Sequence, residues 1–486
     1  MFADRINQKV AVSGVFVAAM FMAIIDTSSI NVAIPTIGRD FHVSTASVDS
    51  VVISFLVSLA VFIPASGWLG DRFGNKRVLL VAILIFTVAS ILCGAAHSLG
   101  QLVIFRIVQG VGGGLLAPVG MALLFLAFPP AERIRAATVI IIPSTVAPAL
   151  GPLLGGVLTE HLSWRWVFYV NVPIGAVGVV FGALFLADPR QENPGRFDLP
   201  GFLLAGMGLA LLMYGVSEGP AKGWSDGLVI TTCAVGAVAL IVLRVVELRT
   251  PEPMLDLRLY ANHLFRSTLT VITLMSVSYL GVIYLVALFY QNGLGLSAQE
   301  SGFNVFPGAI GITIGAQIVT RRLYPRFGPR RIMASGATIV AAMMALLATI
   351  GPGTSPWTIR SIALVLGFGL SGVFIPLQTA SFATIPPPKI GRASTLFNSQ
   401  QRLGGAVGVA ALTTIVTAIG TTHIVSGHVR PHLVAYRVGF LVAAFVMLAT
   451  AATALIINDA DAAETMTSRK KEIGPLAESR ALDPTP

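Results

Sequence analysis

The sequence predicts an all-α membrane protein of many spans, and three observations carry that reading. Charged residues make up 11% of the 486 and hydrophobic residues 55%, whereas a water-soluble domain carries about 25% charged residues. Apolar runs of about 20 residues, each able to cross a hydrocarbon layer of about 30 Å as a helix, recur along the whole chain. The bases behind the net charge of +10 sit in short stretches between those runs, a pattern that orients spans in a bilayer. They form no basic stripe of the kind that tracks nucleic acid.

Breaks at charged and Gly/Pro clusters divide the chain into fourteen spans. The first, 11–36, is too long for a signal-peptide core and has no small-residue cleavage site after it, so it reads as a retained helix. Spans 47–69, 78–97, 99–124, 136–159 and 166–187 complete an N-terminal six-helix bundle over 1–190. A two-helix insert, 191–250, holds spans 199–217 and 227–247 and begins at Asp198-Leu-Pro200-Gly201. A C-terminal six-helix bundle, 251–457, holds 265–290, 302–319, 331–351, 359–383, 396–418 and 434–457. The polar segment 458–486 reads as a disordered cytoplasmic tail.

Orientation follows from the bases. With the N-terminus inside, the inner loops hold Arg72, Lys76, Arg77, Arg133, Arg135, Arg258, Arg321, Arg322, Arg326, Arg330, Arg331, Lys389 and Arg392, among others. The outer loops hold Arg39, Arg165, Lys222, Arg360, Arg430 and Arg437. That bias needs an even number of spans and both termini in the cytoplasm. Abundant Arg, Ala, Gly and Val suggest a GC-rich bacterial genome, and hence the bacterial cytoplasmic (inner) membrane. Cys93 and Cys233 both lie inside apolar runs and make neither a metal nor a disulfide pattern.

The chain repeats itself. Arg72-Phe73-Gly74, followed by Lys76-Arg77, returns as Arg326-Phe327-Gly328 followed by Arg330-Arg331. Pro129-Pro130 and Arg135-Ala-Ala-Thr138 return at nearly the same offset as Pro387-Pro388 and Arg392-Ala-Ser-Thr395. The offset sets the first six spans opposite the last six and leaves the two middle spans without a counterpart.

Further motifs crowd the first half. They include Asp26 through Asn31 to Pro35 in the first span, and Gly67-Trp-Leu-Gly70-Asp71-Arg72-Phe-Gly74-Asn-Lys76-Arg77 after the second. Arg106, Gln109, Gly110 and Gly112 follow in the fourth span, then Pro148, Gly151, Pro152, Gly155 and Gly156 in the fifth, and Trp164-Arg165-Trp166 through Asn171 to Pro173. This set resembles the fourteen-spanner drug:proton antiporter branch of the major facilitator superfamily. Two parallel six-helix repeats are the architecture that resemblance implies. The sequence departs from the family pattern at Asn75, where a basic residue is common, and at Pro325, which replaces the acid in the second copy of the loop.

The physical chemistry of these residues stands beside the resemblance. An ionised side chain at mid-bilayer costs roughly 3 kcal/mol on insertion scales, so it is rare and functional as a rule. Asp26 is the one acid deep in a span, about 15 Å from its outer end, and Arg106 lies about 10 Å from its own. A guanidinium favours the ionised carboxylate and desolvation opposes it, a balance that suits proton coupling. A fixed tether between helices is the competing role for each residue. Gly70 and Gly74 permit a tight turn. The resemblance implies that the Gly67–Arg77 segment is a conformational latch, with Asp71 facing the start of the helix near Arg392, where the helix dipole favours a negative charge. Small residues four apart from Pro148 to Gly156 allow close helix approach, and the resemblance marks this segment as the antiporter helix. Asn31, Gln109, Tyr279, Tyr284, Asn304 and Gln378 are expected to line a cavity. Gln317, Gln401 and Arg402 are further polar residues in the second-half spans.

The expected function is export of amphipathic drug-like compounds by a monomer in the lipid bilayer, with small-molecule cargo and protons as its partners. No cofactor and no metal are expected, because the proton gradient supplies the energy. A lipid, siderophore or metabolite is an alternative cargo, and a non-transporting scaffold or sensor a more distant alternative. An enzyme is not expected, since there is no nucleophile–base set, phosphate loop or metal spacing.

Overall fold

A computed structural model describes residues 7–43, 45–187, 196–420, 422–425 and 428–466. The first half consists of α1 (Gln8–Asp40), α2 (Thr45–Phe62), α3 (Ser66–Phe73), α4 (Asn75–Gly94), α5 (Leu99–Ala127), α6 (Arg133–His161), α7 (Trp166–Tyr169) and α8 (Asn171–Phe185). Then come α9 (Leu199–Lys222) and α10 (Gly227–Arg249). The second half consists of α11 (His263–Leu288), α12 (Ala298–Ile318), α13 (Tyr324–Leu347), α14 (Pro356–Ser381), α15 (Ile390–Ile419) and α16 (Leu433–Ala454).

Polar caps start these apolar helices where the sequence supplies them. Asn7, Ser98, Asp226 and Asn262 each accept a backbone N–H at the start of α1, α5, α10 and α11. Ser297 and Glu300 form a reciprocal capping box on α12, so two otherwise unpaired donors are satisfied at once. Asp198 caps α9, accepting from the Gly201 amide at 2.9 Å. Eleven helical stretches are long and apolar enough to cross a membrane, or twelve if the bent α2–α3 pair is one span.

In the first half α1 packs on α6 and α8, and α5 on α2 and α4. In the second, α11 packs on α15 and α16, and α14 on α12 and α13. Helix α9 lies along α2 and α15, bridging the halves on one side, and α10 packs outside α9. One apolar core runs through both halves, while a smaller one around Ile30, Val51, Leu102, Trp164 and Phe168 belongs to the first half alone.

Three sequence expectations change on this fold. The Gly67–Arg77 segment, read as a loop, is helical on both sides of Gly74: α3 bends 55° from α2, and α4 starts at Asn75. The turn is confined to Gly74, whose φ of 89° disfavours any side chain. Its counterpart Gly328 has φ 73°, so the sequence echo marks two equivalent kinks. The loop between the last two helices is also structured, because β1 (Thr422–Val425) and β2 (His428–Pro431) form an antiparallel hairpin between α15 and α16 within the all-helical fold. Finally, the tail expected to be disordered from 458 is folded at its start. Asp459–Ala462 forms a 3₁₀ turn and α17 (Ala463–Met466) follows. Asp459 accepts from the Arg330 amide at 2.8 Å and Thr465 bonds the Tyr324 hydroxyl at 2.6 Å, so α13 supplies the partners that order it. The 190/191 boundary and the rest of the tail lie outside the described residues.

Candidate functional site: a buried ion pair beside a central cavity

Asp26 and Arg106 meet. Both are 0% exposed, and Arg106 Nη1 donates to Asp26 Oδ2 at 2.6 Å. Asp26 Oδ1 accepts from Gln109 Nε2 at 2.8 Å and from Asn171 Nδ2 at 3.0 Å. Gln109 also donates to Ser90 Oγ at 2.8 Å and accepts from Arg106 Nη1 at 2.7 Å. Arg106 Nε donates to the Val51 carbonyl at 3.2 Å. One network thus joins α1, α2, α4, α5 and α8. A buried charge left unpartnered is strongly penalised, whereas charge-assisted bonds inside a low-dielectric site are strong. Two atoms remain unsatisfied, Arg106 Nη2 and Asn171 Oδ1.

Glycines make the network possible. A Cβ at Gly110 would lie 2.7 Å from the Phe55 carbonyl, and one at Gly112 2.7 Å from that of Ala82, so α5 approaches α2 and α4 too closely for any side chain. In the Pro148–Gly156 segment, a Cβ at Gly155 would lie 2.7 Å from the Ser29 carbonyl. Ser29 Oγ donates to the Gly151 carbonyl at 2.8 Å. These contacts seat α6 on the turn of α1 that follows Asp26. Gly156 faces open space and Pro148 is exposed; the side chain of Pro152 lies outside the described residues.

Beside the network is a cavity of about 250 Å³. Its apolar wall includes Met20, Ile24, Phe55, Leu59 and Leu116; its polar members are Thr27, Ser28, Asn31 and Arg402. Phe55 separates the two features: its ring faces the cavity and lies 4.1 Å from the Arg106 guanidinium carbon. Of the residues expected to line a cavity, Asn31 is in this wall. Gln109 belongs to the buried network instead. Tyr279 packs against the second-half core, and Tyr284 is exposed. Asn304 and Gln378 are buried with Oδ1 and Oε1 unpartnered.

The halves are joined at the end of the molecule that carries the Gly67–Arg77 segment. Asp71 Oδ2 lies 3.5 Å from Arg392 Nε, and Arg392 Nη2 donates to Glu252 Oε2 at 2.9 Å. Asp71 therefore engages the side chain of Arg392; no amide of α15 donates to it among the described residues. Ser66 and Thr395 hydroxyls bond at 2.8 Å, Ser394 donates to the Pro118 carbonyl at 2.7 Å, and Arg133 donates to the Phe382 carbonyl. Gly67 lets α3 reach α15, since a Cβ there would lie 3.3 Å from Arg392 Cα. Gly70 leaves room for buried Asn75. Lys76 donates to the Ala183 and Leu186 carbonyls at 3.0 and 2.5 Å, holding the C-terminal end of α8, while Arg72 and Arg77 are exposed. These hydrogen bonds between the first and second halves lie at this one end.

Sequence reasoning named Arg402 only as one of seven polar residues of the second-half spans, several of them expected to line a cavity, and gave Asn171 no role. Asn171 appeared only inside a motif, although an amide at the start of an apolar helix is itself a signal. Arg402 lies about 18 Å along α15, and an arginine at that depth carries the same insertion cost of roughly 3 kcal/mol as Arg106.

The comparisons agree with this architecture. The Major Facilitator Superfamily profile matches residues 16–409. The chain is 33% identical over 417 residues to the "Multidrug resistance protein B homolog" of Mycobacterium tuberculosis H37Rv, covering 83% of this chain and 76% of that one. It is 31% identical over 455 residues to the "Puromycin resistance protein pur8" of Streptomyces alboniger, covering 92% and 90%. It is 32% identical over 412 residues to the "Uncharacterized MFS-type transporter YhcA" of Bacillus subtilis, covering 84% and 77%. The crystal structure of the human organic anion transporter MFSD10 (TETRAN) superposes with a TM-score of 0.66 at 15% identity, covering 92% and 99%, a likeness of fold. With the family profile covering most of its length and relatives at 31–33% identity, the chain is a transporter, not an enzyme, and belongs to the Major Facilitator Superfamily.

Proposed function

We propose that this protein is a proton-coupled exporter of amphipathic drug-like compounds in the bacterial cytoplasmic membrane. The observation that carries the reading is the fully buried Asp26–Arg106 pair, one aromatic ring away from a mostly apolar cavity. The names of the relatives, resistance proteins for multiple drugs and for puromycin, support the cargo class.

The network is suited to exchanging a proton. A protonated carboxyl needs an acceptor, and the Asn171 amide, already bonded to Asp26, carries a buried oxygen with no partner. Rotation of that amide replaces its donor with its acceptor. Arg106, relieved of the carboxylate, keeps the Val51 carbonyl, Gln109 Oε1 and the Phe55 face. Proton uptake therefore leaves neither partner orphaned, and its effect on Arg106 reaches the cavity through Phe55.

Fourteen crossings accommodate the helices: α2 with α3 and α7 with α8 make one each. The stretch Glu300–Leu347 has 48 residues, about 72 Å as a helix, which suits two spans meeting at the Gly328 kink. Helices α9 and α10 are the peripheral insert. Both termini and the basic latch end face the cytoplasm by the positive-inside rule, so the conformation described, joined at that end, is outward-facing.

The test is transport in reconstituted vesicles under an imposed pH gradient. Asp26→Asn, which imitates the protonated acid, is expected to insert and fold but to lose gradient-driven export. Wild-type export by that variant would refute the assignment.

A further inference from the structure

We infer that the central cavity binds the anionic group of its cargo through Arg402, so that the preferred compounds are amphiphiles carrying a carboxylate or similar oxyanion. The inference rests on reading this cavity as the cargo site. Arg402 is the cavity's one charged lining residue and its one contribution from the second half. Among the described residues it has no hydrogen bond and no ion pair. The other arginines that reach into the protein are engaged: Arg106 by Asp26, Arg392 by Asp71 and Glu252, and Arg133 by the Phe382 carbonyl. A guanidinium at this depth with no partner among the described residues has five N–H donors to offer a ligand.

The remaining polar groups favour the same cargo. Thr27 and Ser28 spend their hydroxyl protons on the Ala23 and Ile24 carbonyls of their own helix, at 2.9 and 2.8 Å. Asn31 makes no side-chain bond among the described residues, so its amide is a second free donor at the wall. A cationic cargo finds no carboxylate here. The nearest, Asp26, points away into its network with both oxygens occupied, and reaching it means displacing Phe55 and breaking the ion pair. Guanidinium binds carboxylate and phosphate oxygens in a bidentate fork, while the apolar wall takes the body of the molecule. At about 250 Å³ the space exceeds the roughly 150 Å³ that holds benzene, which suits a fused-ring body.

Because Arg402 stands on α15 and the rest of the wall on the first half, a bound anion also spans the two halves. The cargo is then held between the parts that must move, and its release follows when they separate.

The test uses three probes of one shape: 1-naphthoate, 1-naphthamide and 1-naphthylmethylammonium, titrated against the purified full chain in lipid nanodiscs without a gradient. The expected order is naphthoate first, at least about tenfold tighter than the amide, with the ammonium weakest. Arg402→Gln is expected to weaken naphthoate about tenfold and leave the amide unchanged, which also reports an intact cavity; Arg402→Lys restores part of the loss. Ammonium binding as tight as naphthoate overturns the inference. So does an unchanged preference in Arg402→Gln, or no binding of any probe. Since no step of this experiment uses a proton gradient, its failure leaves the proton-coupling reading standing, and a failure of the Asp26→Asn test leaves the anion preference standing.

Discussion

Asp71→Asn removes one charge from the contact that holds the two halves together. The carboxylate is buried and 3.5 Å from Arg392 Nε, a separation at which a partly buried pair has a gross attraction of about 4 kcal/mol. Breaking a buried pair outright costs about 3–5 kcal/mol when the remaining charge is orphaned. Here Arg392 is not orphaned, because Glu252 accepts from it at 2.9 Å, and the Asn amide oxygen keeps a weaker bond. The net loss is therefore about 1–2 kcal/mol, a factor of roughly 5–30 in a two-state equilibrium, in favour of the conformation open at the latch end. Ser66–Thr395 and Ser394–Pro118 remain, so the protein still folds. The assay is a distance distribution between spin labels on α3 and α15, with Cys93 and Cys233 replaced. An unchanged distribution together with normal transport would refute the latch. The double variant with Glu252→Gln, which leaves Arg392 with neither carboxylate, should shift the distribution by more than the sum of the two single changes.

Gly155→Leu drives a side chain into the Ser29 backbone; it is expected to destabilise the protein by about 1–3 kcal/mol, read as a lowered Tm in detergent, and to abolish export. Asn171→Leu keeps the branched side-chain shape but removes both the donor and the acceptor of the amide beside Asp26. Export under a pH gradient should fall about tenfold, the rate equivalent of 1.4 kcal/mol, with expression unchanged, and full export would remove Asn171 from the proton pathway.

How far the site was legible differs residue by residue. Asp26 and Arg106 stood out because ionised groups at depth are costly, and their matching depths set them within reach of each other. Gln109 was assigned to a cavity although it lies three positions after Arg106, a spacing that puts both on one helix face; that signal was available. Asn171 comes from α8, and no spacing rule brings a residue so distant in sequence to Asp26. The latch segment was legible as a motif, but its contact with the Arg392 side chain was not, because a dipole argument alone selects the helix end and not the partner.

The sequence by itself determined the multi-span helical class and set a deep acid and a deep base at matching depths. Those follow from hydropathy, helical rise and the cost of burying charge, which are local properties of the chain. Tertiary structure alone decided which wall each side chain faces: Gln109 inward to the ion pair, Phe55 between that pair and the cavity, and Arg402 into the cavity, without a partner among the described residues. It also decided that Asp459 and Thr465 fold the start of the tail against α13. The physical reason is common to both. A helix of uniformly apolar residues has no face marked by its sequence, so the rotation of each helix is set only when its neighbours pack against it.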